Sequence, residues 1–524
     1  MRVKARSGTN RTELFDKMLA NTFKILPGQP PTPHFYSTCA SEYCLRVLFI
    51  LFLLLTFPLS LSPAKANAPQ AEHSSEIRPA HVVVISIDGF QADMLETYEG
   101  LLPNLTALAA KGVMADGFIP TNPSLTWPNH TSMVTGTGSR DHSVIFNGMV
   151  ERTGSGLPLR FEANLHQHQL VATGTIYDAL YEAGLRTAAI NWPATAGSTT
   201  IADNIPDVPD PIGEATEDFL WDLFDDELLD DFTSFALWQY DHAGRDQFWT
   251  NAAGWLIHNR MPDLLLLHLL QLDSMLHRNS TDSDEVLGAL SNTDALIGKM
   301  VSDLKEAALY YQTALFIVSD HGMVNTPQTL LPNRLLQQNG MLEVSEDGQA
   351  IGGSAQVHAV GGFGMVYFQD PENDGFIEEV AALFAQTSGI ARVLRQDEFE
   401  RYGLPNPGTH PHAGQLALFS ECGTSMNIAL RTQTHPHDTI VPSIENDFAL
   451  AHHGFFNECA SMSGLFIGYG PGLQTETTVP AISIKDLAPT LGLLLGVPFE
   501  TPGSSPLYEV LHPSLRHGQV QENP

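Results

Sequence analysis

Apolar residues in this chain come in short unbroken runs, separated by turn residues and by stretches with helical spacing. His81-Val-Val-Val-Ile-Ser-Ile87 is such a run, β-branched and apolar on both faces, the pattern of a strand buried inside a parallel sheet. Arg186–Asn191, Leu264–Leu272, Ala314–Ser319 and Ser463–Tyr469 repeat it. Between them, Leu105–Lys111, Tyr177–Ala183 and Asp284–Glu306 carry the pattern of amphipathic helices. Strand and helix in alternation predict an α/β fold with a mostly parallel central sheet flanked by helices. Two segments break the rhythm. Residues 202–246, rich in Asp, Pro and aromatic side chains, read as an insertion over one sheet edge. Residues 337–426 hold their own small α+β pattern: a strand at Gly364–Phe368, a helix near Phe376–Thr387 and a strand at Gly414–Phe419. They read as an insertion subdomain. No internal repeat is visible.

Ahead of the first strand the pattern changes. Residues 1–66 carry eight Lys/Arg against three acids, and Val47–Ser62 is an apolar run of 16 followed by Ala64-Lys65-Ala66. A basic lead, an apolar stretch and a small-x-small site read as an export signal, cleaved after Ala66 or kept as an N-terminal anchor. The lead is longer than such signals need, so a start near Met18 is an alternative. Residues 67–79 then form a polar linker, the main domain spans 80–500, and 501–524 is a C-terminal tail. The whole chain has 26 basic and 59 acidic residues, a formal charge of −33, with 43% hydrophobic content. That much apolar material excludes a disordered acidic chain. A surface so negative, with no basic stripe, excludes duplex nucleic acid as a partner, and contact with a membrane is expected only through an uncleaved N-terminal segment. Four cysteines in 524 residues exclude a disulfide scaffold. Cys39 and Cys44 would leave with the signal, and Cys422 and Cys459 either pair in an oxidising compartment or stay as two buried thiols.

The candidate chemistry lies where strands end, because ligands of an open parallel sheet gather at the strands' carboxyl ends. Three apolar runs end in aspartate there: Asp88 in Ile-Asp-Gly, Asp273 in Leu-Asp-Ser-Met-Leu-His277, and Asp320 in Ser-Asp-His321-Gly. Asp273 and His277, four apart at the start of a helix, face one point. Gly322 allows Asp320 and His321 to turn toward a common ion. Carboxylate and imidazole together are the ligand chemistry of zinc or a similar divalent metal, and carboxylates gathered without a cation would repel one another. Taken one by one, these histidines also read as structural partners of the aspartates. Thr126, in Pro123-Ser-Leu-Thr126-Trp-Pro128, lies at a helix start where free N–H groups favour an anion. It reads as an N-cap on local sequence, or as a nucleophile beside a metal that lowers its proton affinity.

Through Ile87-Asp-Gly-Phe90, Thr126-Trp-Pro-Asn-His130, Asp273-Ser-Met-Leu-His277, Ser319-Asp-His-Gly-Met323, His453-Gly454 and Ile484–Gly492, the sequence resembles the nucleotide pyrophosphatase/phosphodiesterase family of the alkaline phosphatase superfamily over residues 80–500. The resemblance implies an alkaline-phosphatase-like catalytic domain with two divalent ions, zinc by family habit. One would be held by Asp88, Asp320, His321 and the nucleophile Thr126, the other by Asp273, His277 and His453, with His453 preferred to His452 on the His-Gly pattern. It further implies that Asn147, 21 residues beyond the threonine, donates to the phosphoryl oxygen, and that Trp127 contacts a flat leaving group or else is a core tryptophan. The implied reaction is hydrolysis of a small-molecule phosphodiester or nucleotide pyrophosphate through a phospho-threonine, in an exported protein, periplasmic or secreted.

The motif spacing separates this chain from its cousins. No arginine follows Thr126 until Arg140, so no nearby guanidinium awaits the second charge of a monoester. Phosphonoacetate hydrolases and some phosphatases share the threonine and the ligand types and stand as the alternative. Arg278 or a residue of 337–426 reaching the phosphate would favour them. A catalytically idle binding protein is the reading from another class, disfavoured because the nucleophile and every ligand are present. His358 also lies near the motifs. Asn129-His-Thr131 is a glycosylation triplet inside the proposed active-site helix, and the two Thr-His-Pro-His segments at 409–412 and 434–437 lie in Pro-rich loops without a role in the family.

Overall fold

β1, His81–Ile87, runs through the middle of the molecule with Val82–Ile87 all buried. The computed structural model describes residues 78–153, 156–229, 241–432 and 434–516. The expected signal segment and linker fall outside them, apart from Arg78 and Pro79. Seven further strands complete the central sheet: β2 (Val113–Ala115), β3 (Thr187–Pro193), β4 (Asp203–Asp207), β5 (Leu264–Leu269), β6 (Thr313–Val318), β7 (Phe466–Tyr469) and β8 (Thr477–Val479). Their order is β8-β2-β7-β6-β1-β5-β3-β4. All run parallel except β7, which lies antiparallel to both β2 and β6. The mostly parallel α/β sheet read from the sequence is present. The run at Ser463–Tyr469 forms a strand only from Phe466 and points the opposite way.

Helices cover the sheet. Val82 and Val84 of β1 join one core cluster with Leu487, Leu491 and Leu494 of helix Leu487–Leu495, while helices His242–Asn259 and Asp284–Glu306 pack against each other and the former against β5. Leu507, Val510, Leu511 and Leu515, in the segment read as a tail, belong to that same cluster. Of residues 202–246, Asp203–Asp207 supplies the edge strand β4 and Glu217–Asp225 a helix. Residues 337–426 contain a four-stranded antiparallel sheet ordered Ala355–Val360, Phe363–Phe368, Leu416–Ser420, Ile390–Arg395, with helix Asp374–Ala385 packed on it. Cys422 and Cys459 form a disulfide that ties the turn after strand Leu416–Ser420 to the segment following His453. Among the described residues no helix is long and apolar enough to cross a membrane.

The feature that matters for function is that β6, β1 and β5 are neighbours and parallel, in register through Ser86↔Val318 and Ser86↔His268. Their carboxyl ends therefore meet at one place. The apolar run at Leu264–Leu272 does not continue as strand: β5 stops at Leu269 and helix Gln271–Arg278 begins. Buried Asp246 stops it, accepting Leu270 N–H at 3.1 Å and Gln271 N–H at 2.8 Å, so the helix's first free donors are satisfied by a carboxylate.

Candidate metal centre and nucleophile

Asp88 follows β1, Asp320 and His321 follow β6, and Asp273 and His277 occupy the helix after β5, so the strand order itself brings the three carboxylates together. Asp88 and Asp320 are 1% and 0% exposed. Thr126 is the first residue of helix Thr126–Thr135, preceded by Leu125 in extended conformation. All ten residues of this helix are buried, and its polar side chains bond back along it, Thr131 to Trp127 O, Ser132 to Pro128 O and Thr135 to Thr131 O. Asn129, of the glycosylation triplet, is fully buried and donates to Pro123 O and Leu125 O. The helix is thus a rigid post that holds Thr126 at the carboxyl edge of the sheet.

Three histidines converge on the same point with the same polarity. Nδ1 of His321 donates to Gly322 O, of His277 to Ala451 O and of His453 to Ser124 O, at 3.2, 2.9 and 3.1 Å. Each bond places the proton on Nδ1 and turns the Nε2 lone pair inward. His321 Nε2 lies 3.1 Å from Asp320 Oδ2 and 3.4 Å from Asp88 Oδ1, and accepts the Thr126 hydroxyl at 3.3 Å. His277 Nε2 is 3.3 Å from Asp273 Oδ1, and His453 Nε2 is 3.9 Å from the same oxygen. Two sets, Asp88 with Asp320 and His321, and Asp273 with His321 and His453, each hold their ligand atoms within 4.8 Å of one another. Distance alone also groups His452 with His277 and His453. Its Nδ1, however, accepts the His453 N–H at 3.2 Å, which puts its own proton on Nε2 and leaves no lone pair to offer.

The electrostatics call for positive charge. Asp88 Oδ1, Asp320 Oδ2 and Asp273 Oδ1 are buried without a hydrogen-bond partner and face imidazole lone pairs, acceptor against acceptor. Burial, then the Asp273 charge, holds Asp88 well above the usual carboxylate range, and burial, then Asp88, does the same to Asp320. Burial pushes His321 well down and His453 to about 4, keeping both neutral. Burial would lower His277 and raise Asp273, but their mutual attraction outweighs it, so His277 is raised and Asp273 lowered. A divalent cation would resolve the conflict among Asp88, Asp320 and His321 and take the place of a proton between His277 and Asp273, and the donor set of carboxylate oxygen and imidazole nitrogen fits one.

Thr126 opens into a cavity of roughly 400 Å³, walled in part by Ala163, Val208, Pro209, Leu270 and Val360. None of its lining residues is Lys or Arg, and Arg278 is exposed at the helix end, outside the lining. Asn147 lines the cavity and accepts the Trp127 N–H through Oδ1 at 2.9 Å, which directs its NH₂ away from that bond. Trp127 is 4% exposed: its ring packs with Val144, Leu165 and Leu170, and its indole N–H donates to Asp207. It lines the cavity while almost wholly buried. His358 stacks against Phe161 and does not line the cavity. Three polar residues next to the cluster escape a reading of motifs alone. They are Asp246, Asp207 and His268, the last a single histidine inside an apolar strand, whose Nε2 lies 3.1 Å from Asp88 Oδ2.

Residues 82–430 match the family described as type I phosphodiesterase / nucleotide pyrophosphatase. Human ectonucleotide pyrophosphatase/phosphodiesterase family member 1 is 24% identical over 470 residues, 87% of this chain and 45% of that protein. Human family member 5 is 23% identical over 451 residues, 85% of this chain and 80% of that protein. The chain thus spans less than half the length of the first of these relatives. Among solved structures, murine ectonucleotide pyrophosphatase/phosphodiesterase 5, an inactive threonine-to-alanine variant in complex with AMP, superposes with a TM-score of 0.59 at 18% identity, covering 82% of this chain and all of that one. The human counterpart gives 0.60 at 18%, with the same coverage. These likenesses agree with the sheet order and flanking helices described above.

Proposed function

This chain belongs to the type I phosphodiesterase/nucleotide pyrophosphatase family, and from that premise we propose that it is an exported two-metal hydrolase cleaving phosphodiester or nucleotide pyrophosphate bonds through Thr126. The observation that carries the reading is the convergence of three partnerless carboxylate oxygens and three inward Nε2 atoms on the Thr126 hydroxyl. Asp88, Asp320, His321 and Thr126 would hold one divalent ion, and Asp273, His277 and His453 the other, zinc being the ion that suits this donor set. Two such ions supply charge neutralisation for the attacking and leaving oxygens of an in-line displacement.

The rest is the work of the chain. Thr126 Oγ1, held at the helix start, attacks phosphorus and expels one esterified oxygen; the resulting phospho-threonine is then hydrolysed by water. The Thr126 N–H, which bonds to no described residue, and the Asn147 NH₂ would donate to the phosphoryl oxygen. His321 takes the hydroxyl hydrogen bond in the resting protein. The apolar wall and the absence of Lys or Arg from the lining favour a singly charged diester over a dianionic monoester or phosphonoacetate. The AMP bound by the murine relative supports a nucleotide as one occupant, with Trp127 among the residues lining the pocket. The Cys422–Cys459 disulfide supports an oxidising, extracytoplasmic setting.

The test is hydrolysis of para-nitrophenyl thymidine monophosphate against para-nitrophenyl phosphate, with and without chelator, in wild type and Thr126→Ala. Diester preference, loss on chelation and loss in the variant are expected. Preference for the monoester would overturn the substrate class, and full activity in the variant would overturn the nucleophile.

A further inference from the structure

β5 is apolar from Leu264 to Leu267, then His268, then Leu269, and every one of these residues is buried. His268 is 0% exposed and lies in register with Ser86, two residues before Asp88 on the neighbouring strand. A lone imidazole in such a strand is costly unless both nitrogens are satisfied. They are. Nδ1 donates to Asn191 O at 3.0 Å, and Nε2 lies 3.1 Å from Asp88 Oδ2. Asn191 is shaped for this contact: it sits at a bulge in β3, in left-handed conformation at φ 55°, and its own NH₂ donates to His268 O at 3.2 Å. A bulge beside a site re-aims backbone groups, and here it aims a carbonyl at Nδ1.

The consequence for Asp88 is specific. His268 Nε2 sits 3.1 Å from Oδ2, so that oxygen faces the imidazole. Oδ1 is the oxygen without a hydrogen-bond partner, and it faces His321 Nε2 at 3.4 Å. We propose that His268 is a positioning residue for the ion held by Asp88, Asp320 and His321, fixing through the chain Asn191–His268–Asp88 which carboxylate oxygen is presented to the metal. The inference rests on the two-metal reading and deepens it. Partners that orient a ligating carboxylate typically change metal affinity by about 10- to 100-fold when removed. Of the other ion's ligands, His277 and His453 donate to carbonyls of their own, Ala451 O and Ser124 O, so its affinity should be unaffected.

The experiment is competition of zinc between the metal-free protein and a chromophoric chelator, at fixed pH, for wild type and three variants. His268→Leu matches the rest of the strand, His268→Phe keeps a ring against His130, 4.1 Å away between ring centres, and His268→Gln keeps a donor. Wild type should take up two ions. The Leu and Phe variants should bind one ion about 10- to 100-fold more weakly and the other within about twofold of wild type, and Gln should recover most of the loss. If either folded apolar variant binds both ions as tightly as wild type, or if Gln is no better than Leu, the positioning role is wrong. If wild type itself takes up fewer than two ions, it is the two-metal reading that fails.

Discussion

The Thr126 hydroxyl donates to His321 Nε2 across 3.3 Å, and that nitrogen also faces Asp88 and Asp320, so nucleophile and metal ligands share one focus. Replacing Thr126 by Ala should lower kcat by at least about 1,000-fold, because the attacking atom is gone. Thr126→Ser keeps the oxygen and should retain measurable turnover. Thr126 makes no other side-chain hydrogen bond to a described residue, so both variants should unfold within about 1 kcal/mol of wild type by denaturant titration.

Proton release should accompany metal binding. Asp88 and Asp320 are raised chiefly by burial and then by neighbouring carboxylates. An acid with a raised folded pKa keeps its proton in the metal-free protein at a pH where the unfolded chain has lost it. The metal-free protein therefore loses stability as pH rises beyond the unfolded value, while an ion needs both carboxylates ionised and gains apparent affinity over the same rise. Zinc titration calorimetry in buffers of different ionisation enthalpy should count protons released on binding, and their number should fall as pH rises through the raised carboxyl values.

Gly361 turns the chain between strands Ala355–Val360 and Phe363–Phe368 at φ 59°, and a Cβ there would lie 2.1 Å from His453 O. The neighbouring Gly362 N–H donates to that same carbonyl at 2.9 Å. Gly361→Ala should cost at least about 1 kcal/mol from the left-handed backbone alone, and the contact must displace His453. Calorimetric melting and chelator competition should show lower stability together with selective weakening of the ion held by Asp273, His277 and His453.

How much of this was readable beforehand follows from the kind of signal each residue carries. Asp88, Asp273 and Asp320 were legible because each ends an apolar run, and spacing tied His277 and His321 to two of them. His268 was not, since one histidine in a run of leucines looks like core until the strand order sets it beside Asp88. Asp246 and Asp207 were hidden because residues 202–246 read as an excursion, whereas they supply a sheet edge and the cap of the helix bearing Asp273. The choice of His453 over His452 was legible only through the family's His-Gly pattern; its physical reason, the carbonyl and N–H groups that face the two rings, is in no local propensity. The reversed direction of β7 is likewise absent from its apolar run, which reads the same both ways.

The disulfide gives the last prediction. Cys422 and Cys459 close a loop of 37 residues, and His453 lies inside it, six positions from Cys459. Constraining the unfolded chain over such a loop is worth about 4 kcal/mol in the chain-entropy account. Replacing both cysteines by serine should therefore lower the unfolding free energy by about 2–5 kcal/mol in denaturant titration. The His453 Nδ1–H donates to Ser124 O, which lies outside the loop, and the Ser124 hydroxyl donates to Phe455 O, so the ligand is anchored independently of the sulfur bond. Zinc affinity of the folded double variant should accordingly stay within about threefold of wild type. A large loss of affinity without loss of stability would show that the disulfide, rather than the Ser124 contacts, holds His453 in place.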